Sequence, residues 1–89
     1  MYRVNLTDWL ASKFNGHRDI RELVRAYDAG YHWHTRHSHK SAGTACRAWV
    51  KVNRLPCDNV HDMQVRSAFM FGWADAWETA KKRGTHHNG

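Results

Sequence analysis

Thirteen residues near the end of the chain, Ala68–Ala80 (AFMFGWADAWETA), constrain its fold more than any other stretch. On a wheel of about 100° per residue, Phe69, Met70, Trp73, Ala76, Trp77 and Ala80 share one broad apolar arc. Gln64, Asp75, Glu78 and Thr79 fall largely on the other side. A helix with two tryptophans on one face needs a partner to bury them. Gly72 costs helix propensity, about 1 kcal/mol relative to Ala. Its presence in this arc implies that another helix passes close to the backbone beside Trp73.

The rest of the chain supplies candidates for that partner. Asn5 or Thr7 can cap a short first helix over 6–14, with Leu6, Trp9, Leu10 and Phe14 as its docking side. Asn15-Gly16 stops it, because both residues tolerate the left-handed conformation. Asp19 with Glu22 resembles a capping box opening a second helix over about 19–34. Ile20, Leu23, Val24, Tyr27, Gly30, Tyr31 and His34 line one face of it; Arg21, Arg25, Asp28 and His32 line the other. Gly30, set among large rings, is the expected counterpart of Gly72 at a close crossing. His32–Gly43 (HWHTRHSHKSAG) loses the period and reads as a loop or frayed helix end. In 44–55, Ala45, Ala48, Trp49 and Val52 fit a helical face, while Cys46, Ala48, Val50 and Val52 equally fit a strand. Helix is expected, since no second good strand exists to pair with it.

Pro56 interrupts, and Asp58 or Asn59 caps a last helix over about 59–83, ended by Gly84 after Lys81, Lys82 and Arg83. Thr85–Gly89 reads as a disordered tail, and no repeat is evident. The expected architecture is all-α, a single domain over 1–84 built as a bundle of three to four helices with a long last helix. With 89 residues and five Trp, three Tyr and three Phe, large rings replace a larger count of aliphatics in a small core.

Fourteen Lys and Arg against eight Asp and Glu give a net charge of +6, before any of the eight His is protonated. This balance favours an anionic partner, most often nucleic acid. Met1–Leu10 lacks a basic start followed by an apolar run, and no segment has the length of a membrane span. A cytoplasmic protein is expected, with Cys46 and Cys57 as reduced thiols or ligands rather than a disulfide.

Two separated pieces resemble the ribosome modulation factor family. Ala26-Tyr27-Asp28-Ala29-Gly30-Tyr31 is similar to its A-x-x-x-G-Y helix. Arg66-Ser67-Ala68-Phe69-Met70-Phe71-Gly72-Trp73-Ala74-Asp75-Ala76 is similar to its R-x-x-W-x-x-G-W-x-x-A helix. Pro56 stands where the family carries a Pro-containing turn. The resemblance covers about half the chain and implies a helical, basic protein that contacts RNA or the ribosome.

The residues expected to bind nucleic acid are Arg21, Arg25, His32, Arg36, Lys40 and Arg66. Arg66 is unusual in lying within the apolar arc, where its head must be paired, stacked or directed to a ligand. Trp49 and Phe71 are candidate anchors for a protein partner, Phe71 alternatively packing the first helix. The cluster of His32, His34, His37 and His39 with His61, Cys46 and Cys57 raises the possibility of zinc. Cys46, Cys57, His61 and His37 would form the four-ligand set, and a polar surface without metal is the alternative. Catalysis finds no support: there is no Gly-rich phosphate loop, no G-x-S-x-G and no paired carboxylates. A second functional expectation is a small phage-type effector that binds and inhibits a host protein or nucleoprotein complex, such as a nuclease, polymerase or defence system.

Overall fold

The computed structural model describes residues 5–88 of the backbone and the side chains of 5–82. It contains four helices and, among the described residues, no strand: α1 (Leu6–Lys13), α2 (Ile20–Arg36), α3 (Ala42–Asn53) and α4 (Val60–Asn88). No helix among them is long and apolar enough to cross a membrane. The segment open between helix and strand is thus a helix. His32–Arg36, expected partly as the helix end and partly as a loop or frayed end, completes α2, and only His37–Ser41 links it to α3. The α4 backbone passes Gly84, the expected stop. α4 thus takes in the backbone of 85–88, expected as a disordered tail, while the side chains of 83–89 lie outside the described residues.

Local chemistry explains the boundaries. Gly16 adopts φ +87°, the left-handed turn that separates α1 from α2. Asp19 caps α2 by accepting from the Arg21 amide at 3.0 Å. Ser41 does the same for α3, accepting from Thr44 N at 3.2 Å. α3 closes through Arg54 in the left-handed region (φ 52°), with Leu55 N–H reaching back to the Val50 carbonyl at 3.1 Å. Asn59 opens α4 by accepting from Asp62 N at 3.0 Å, and Asp62 in turn accepts from Asp58 N at 2.9 Å.

The core is the α2–α4 seam. The two helices run side by side in the same direction: His17 and Arg18, just before α2, meet Gln64 and Asp62, while Tyr27 meets Asp75 and Tyr31 meets Thr79. Parallel neighbours need a return connection, which α3 and its flanking loops provide. Gly30 and Gly72 mark the closest approach. A Cβ on Gly30 would lie 2.8 Å from the Phe69 carbonyl carbon and 3.0 Å from Trp73 N; one on Gly72 would lie 2.8 Å from the Tyr27 carbonyl carbon. The paired glycines expected at a crossing are therefore found there, each facing the residue three positions before the other.

That reciprocity reflects a repeat that the sequence alone did not reveal. Ala26-Tyr27-x-x-Gly30-Tyr31 and Ala68-Phe69-x-x-Gly72-Trp73 occupy equivalent places on the two helices. Tyr27 touches Asp75, three residues past Gly72, and Phe69 packs edge-on to Trp33, three residues past Gly30. Ala26, Tyr27, Ala68, Phe69 and Trp73 are all buried. Trp77, expected in the same buried arc, is 41% exposed. It lies about 100° round the helix from Ala76 and so misses the seam.

α1 packs against the middle of α2 and α4, contributing the fully buried Leu10 and setting Trp9 edge-on to Phe71 at 5.2 Å and to Tyr27 at 6.4 Å. α3 packs on α4 from the other side, with Trp49 stacked on Phe69 at 4.4 Å between centroids.

Candidate nucleic-acid interface

Half of the eight carboxylates are occupied by the fold: Asp19, Glu22, Asp62 and Asp75 accept internal hydrogen bonds, whereas Asp8, Asp28, Asp58 and Glu78 are exposed. Around the starts of α2 and α4, residues 43 to 47 apart in sequence form one polar cluster that helical periodicity does not predict. Arg18 donates to Glu22 at 2.8 Å and to Asp62 at 3.3 Å. His17, its side chain only 2% exposed, reaches Gln64 at 2.7 Å and Glu22 at 3.2 Å. The His61 ring lies edge-on to His17, and its Nδ1 accepts the Arg18 amide at 3.3 Å. Asp62 is buried. Backbone hydrogen bonds, chiefly from Asp58, and the Arg18 guanidinium hold its carboxyl below the usual range. The hydrogen bond from Arg18 does the same for Glu22. Asp19 is likewise lowered by the Arg21 amide and side chain, and Asp75 accepts from Tyr27.

The cations are left facing outward. Arg21, Arg25, His32 and Arg36 are exposed along the outer side of α2, and Lys40 is exposed on the following loop. Arg21 is partly engaged, its Nε lying 3.2 Å from Asp19. Among the described residues, Arg25, Arg36 and Lys40 have no carboxylate within ion-pair distance. α3 adds three exposed cations outside the expected set, Arg47, Lys51 and Arg54, and they too lack such a partner. Their spacing of four and three places them on one side of the helix, a signal available in the sequence. From Arg36 to Cys57 the chain carries five Lys or Arg and no carboxylate.

Arg66 does not belong to this outward set. Its guanidinium donates to the carbonyls of Pro56 at 2.6 Å, Asp62 at 3.3 Å and Leu55 at 3.5 Å. It ties the α3–α4 loop to α4, which explains a charge inside an apolar arc. Phe71 is likewise used internally: it packs against Trp9 and Phe14, with Lys13 Nζ 5.4 Å from its ring centre. Trp49 is partly buried, its ring held on Phe69 at the edge of a shallow hollow with Arg25, Ala29 and Leu55.

The histidines and cysteines of the candidate zinc set lie in separate parts of the fold. Cys46 is buried with Sγ toward the Arg66 carbonyl at 3.8 Å, and burial pushes its thiol pKa up. Cys57 is exposed, 3.6 Å from the Met63 sulfur. His61 belongs to the polar cluster. His37 lies against Trp33 at 4.2 Å, whose indole N–H donates to His39 at 3.0 Å. Among the described residues no three His, Cys, Asp or Glu side chains converge as a metal requires, so the set Cys46, Cys57, His61 and His37 is not assembled.

These features define a small all-helical protein with half of its carboxylates engaged by the fold and rows of cations on α2 and α3 facing solvent. Comparison with family models, with curated proteins and with solved structures finds no match.

Proposed function

We propose that this is a non-catalytic RNA-binding protein, with ribosomal RNA the partner implied by the resemblance to the ribosome modulation factor family. The observation that carries the reading is the exposed cations of α2 and α3, broken on α2 by the exposed Asp28. Asp19, Glu22, Asp62 and Asp75 are held by internal hydrogen bonds, whereas Arg25, Arg36, Lys40, Arg47, Lys51 and Arg54 are exposed and, among the described residues, lack an ion-pair partner. Cations presented this way neutralise phosphates and release condensed counterions, which gives affinity without base specificity. The α2 cations recur along one helix face, and those of α3 form a second row.

The test is fluorescence anisotropy with a labelled ribosomal RNA fragment across a salt series. Binding should weaken steeply as salt rises. Arg25→Gln with Arg36→Gln should lower both affinity and the salt slope, the latter by about one for each phosphate no longer neutralised. Arg21→Gln should matter less, because Asp19 already offsets that charge. Unchanged affinity and slope in the Arg25/Arg36 and Arg47/Lys51 pairs would refute the reading.

A further inference from the structure

α4 carries a second apolar row that α2 leaves uncovered. Val60, Met63, Ser67, Met70, Ala74 and Trp77 alternate in steps of three and four, so they lie along one line of the helix. Three of them are strongly exposed: Val60 at 61%, Met63 at 53% and Trp77 at 41%. The middle of the row is the floor of a groove. On one stretch Cys46 and Val50 of α3 face Met63, Ser67 and Met70, enclosing about 510 Å³. On the next, Phe14 and Ala42 flank Ser67, Met70 and Ala74, enclosing about 630 Å³. Ser67 and Met70 line both, so the groove is continuous.

Its charge has one sign. The ionisable side chains lining the two stretches, besides Cys46, are Lys13, Arg47, Lys51 and Arg66. Lys81 extends the row past Trp77, its Nζ 4.9 Å from that ring centre. The three–four spacing matches a helix, since a strand repeats every two residues. From Val60 to Trp77 the row is roughly 26 Å long at 1.5 Å per residue, about five turns. A second copy of this chain would bring the same cations face to face, which disfavours it. The two methionines, flexible and polarisable, suit a surface that adapts to a guest.

We propose that this groove receives an acidic amphipathic helix of a partner protein. Its apolar residues lie along the Val60–Trp77 row, and its carboxylates meet Lys13, Arg47 and Lys51. This site is separate from the RNA reading in its apolar floor, although Arg47 and Lys51 border both.

The probe is a fluorescein-labelled synthetic peptide of 18 residues, with Leu at three–four spacing and Glu at the flanking positions, titrated with the full chain. Saturable binding is expected, and the same peptide with Lys in place of Glu should not bind. Val60→Ser with Met63→Ser, both at exposed positions, should weaken peptide binding about tenfold. The same pair should leave the thermal midpoint and the salt slope of RNA binding unchanged. Arg47→Glu with Lys51→Glu should weaken the peptide by a similar factor. Three results would each overturn the proposal: no saturable binding of the acidic peptide, equal binding of acidic and basic peptides, or a dimer of the chain in sedimentation equilibrium that Val60→Ser/Met63→Ser dissociates. Absence of salt-dependent RNA binding by the unaltered chain, with peptide binding intact, would instead refute only the proposed function.

Discussion

Replacing Gly30 by Ala sets two effects of opposite sign against each other. Helix propensity favours Ala by about 1 kcal/mol at a mid-helix position. Sterics oppose it, because the added methyl would sit 2.8 Å from the Phe69 carbonyl carbon and 3.0 Å from Trp73 N, closer than carbon atoms ordinarily pack. The obstacle is backbone on both sides, so no rotamer change relieves it, and α2 must move away from α4. Overpacking of this kind costs about 1–3 kcal/mol, and a rigid obstacle places it near the upper end. Separation also loosens Tyr27, Phe69 and Trp73, whose dispersion attraction falls by roughly a quarter to a half for a gap of 0.5–1 Å. The net expectation is a loss of about 2 kcal/mol, or roughly 8–16 °C in thermal midpoint for a domain of this size. Thermal and urea unfolding, followed by far-ultraviolet circular dichroism and tryptophan fluorescence, read it directly. Gly43→Ala is the control: its methyl would meet nothing closer than 3.9 Å, so the propensity gain stands alone and the midpoint should rise. In Gly30→Ala/Gly72→Ala one separation accommodates both methyls, so the double loss should be smaller than the sum. A Gly30→Ala protein that melts at or above the wild-type temperature would refute the close crossing.

Asp62 and Glu22 both have lowered folded-state pKa values, so the unfolded chain binds more protons and their stabilisation is lost as pH falls below about 4; Arg18→Gln should flatten that loss in a series of urea midpoints. Arg66→Ala removes the donor to three carbonyls of the α3–α4 loop and α4. It should cost about 1–2 kcal/mol in urea unfolding while leaving RNA affinity nearly unchanged. Iodoacetamide should modify exposed Cys57 in the native protein and reach buried Cys46, whose thiol pKa is raised, only on unfolding, as read by peptide mass mapping.

The helical plan was legible where a residue's cost demanded a reason. Gly30 and Gly72 each lower helix propensity among large rings, and only a close helix crossing compensates. Phe71, out of place near the polar arc, was explicable by a short first helix that needed somewhere to dock. Arg66 shows the limit of the helical wheel, which places a residue on a face but knows nothing of the carbonyls of a neighbouring loop. The cluster of His17, Arg18, Glu22, Asp62 and Gln64 was invisible for a related reason: its members come from two chain segments that meet only once α2 and α4 lie parallel. The candidate interface was half visible. The α2 cations form the exposed face that their spacing implies, while Arg47, Lys51 and Arg54 are equally regular but lie in a segment whose secondary structure the sequence leaves open.

The matched hexapeptides of α2 and α4 raise the problem of telling self from non-self. Each helix displays the surface that the other requires, so in a crowded refolding mixture α2 of one chain could seat on α2 of another, and α4 on α4. The positions three residues past each glycine break this degeneracy. In the native pairing Tyr27 donates to Asp75, while Phe69 packs on Trp33. An α2–α2 pairing would set Tyr27 against Trp33 and strand the phenol without its acceptor. An α4–α4 pairing would press the Asp75 carboxylate onto the Phe69 ring, where no donor exists. Only the mixed pair satisfies both positions, and it alone also makes the Arg18–Asp62 and His17–Gln64 contacts, while the glycines set how near the helices come.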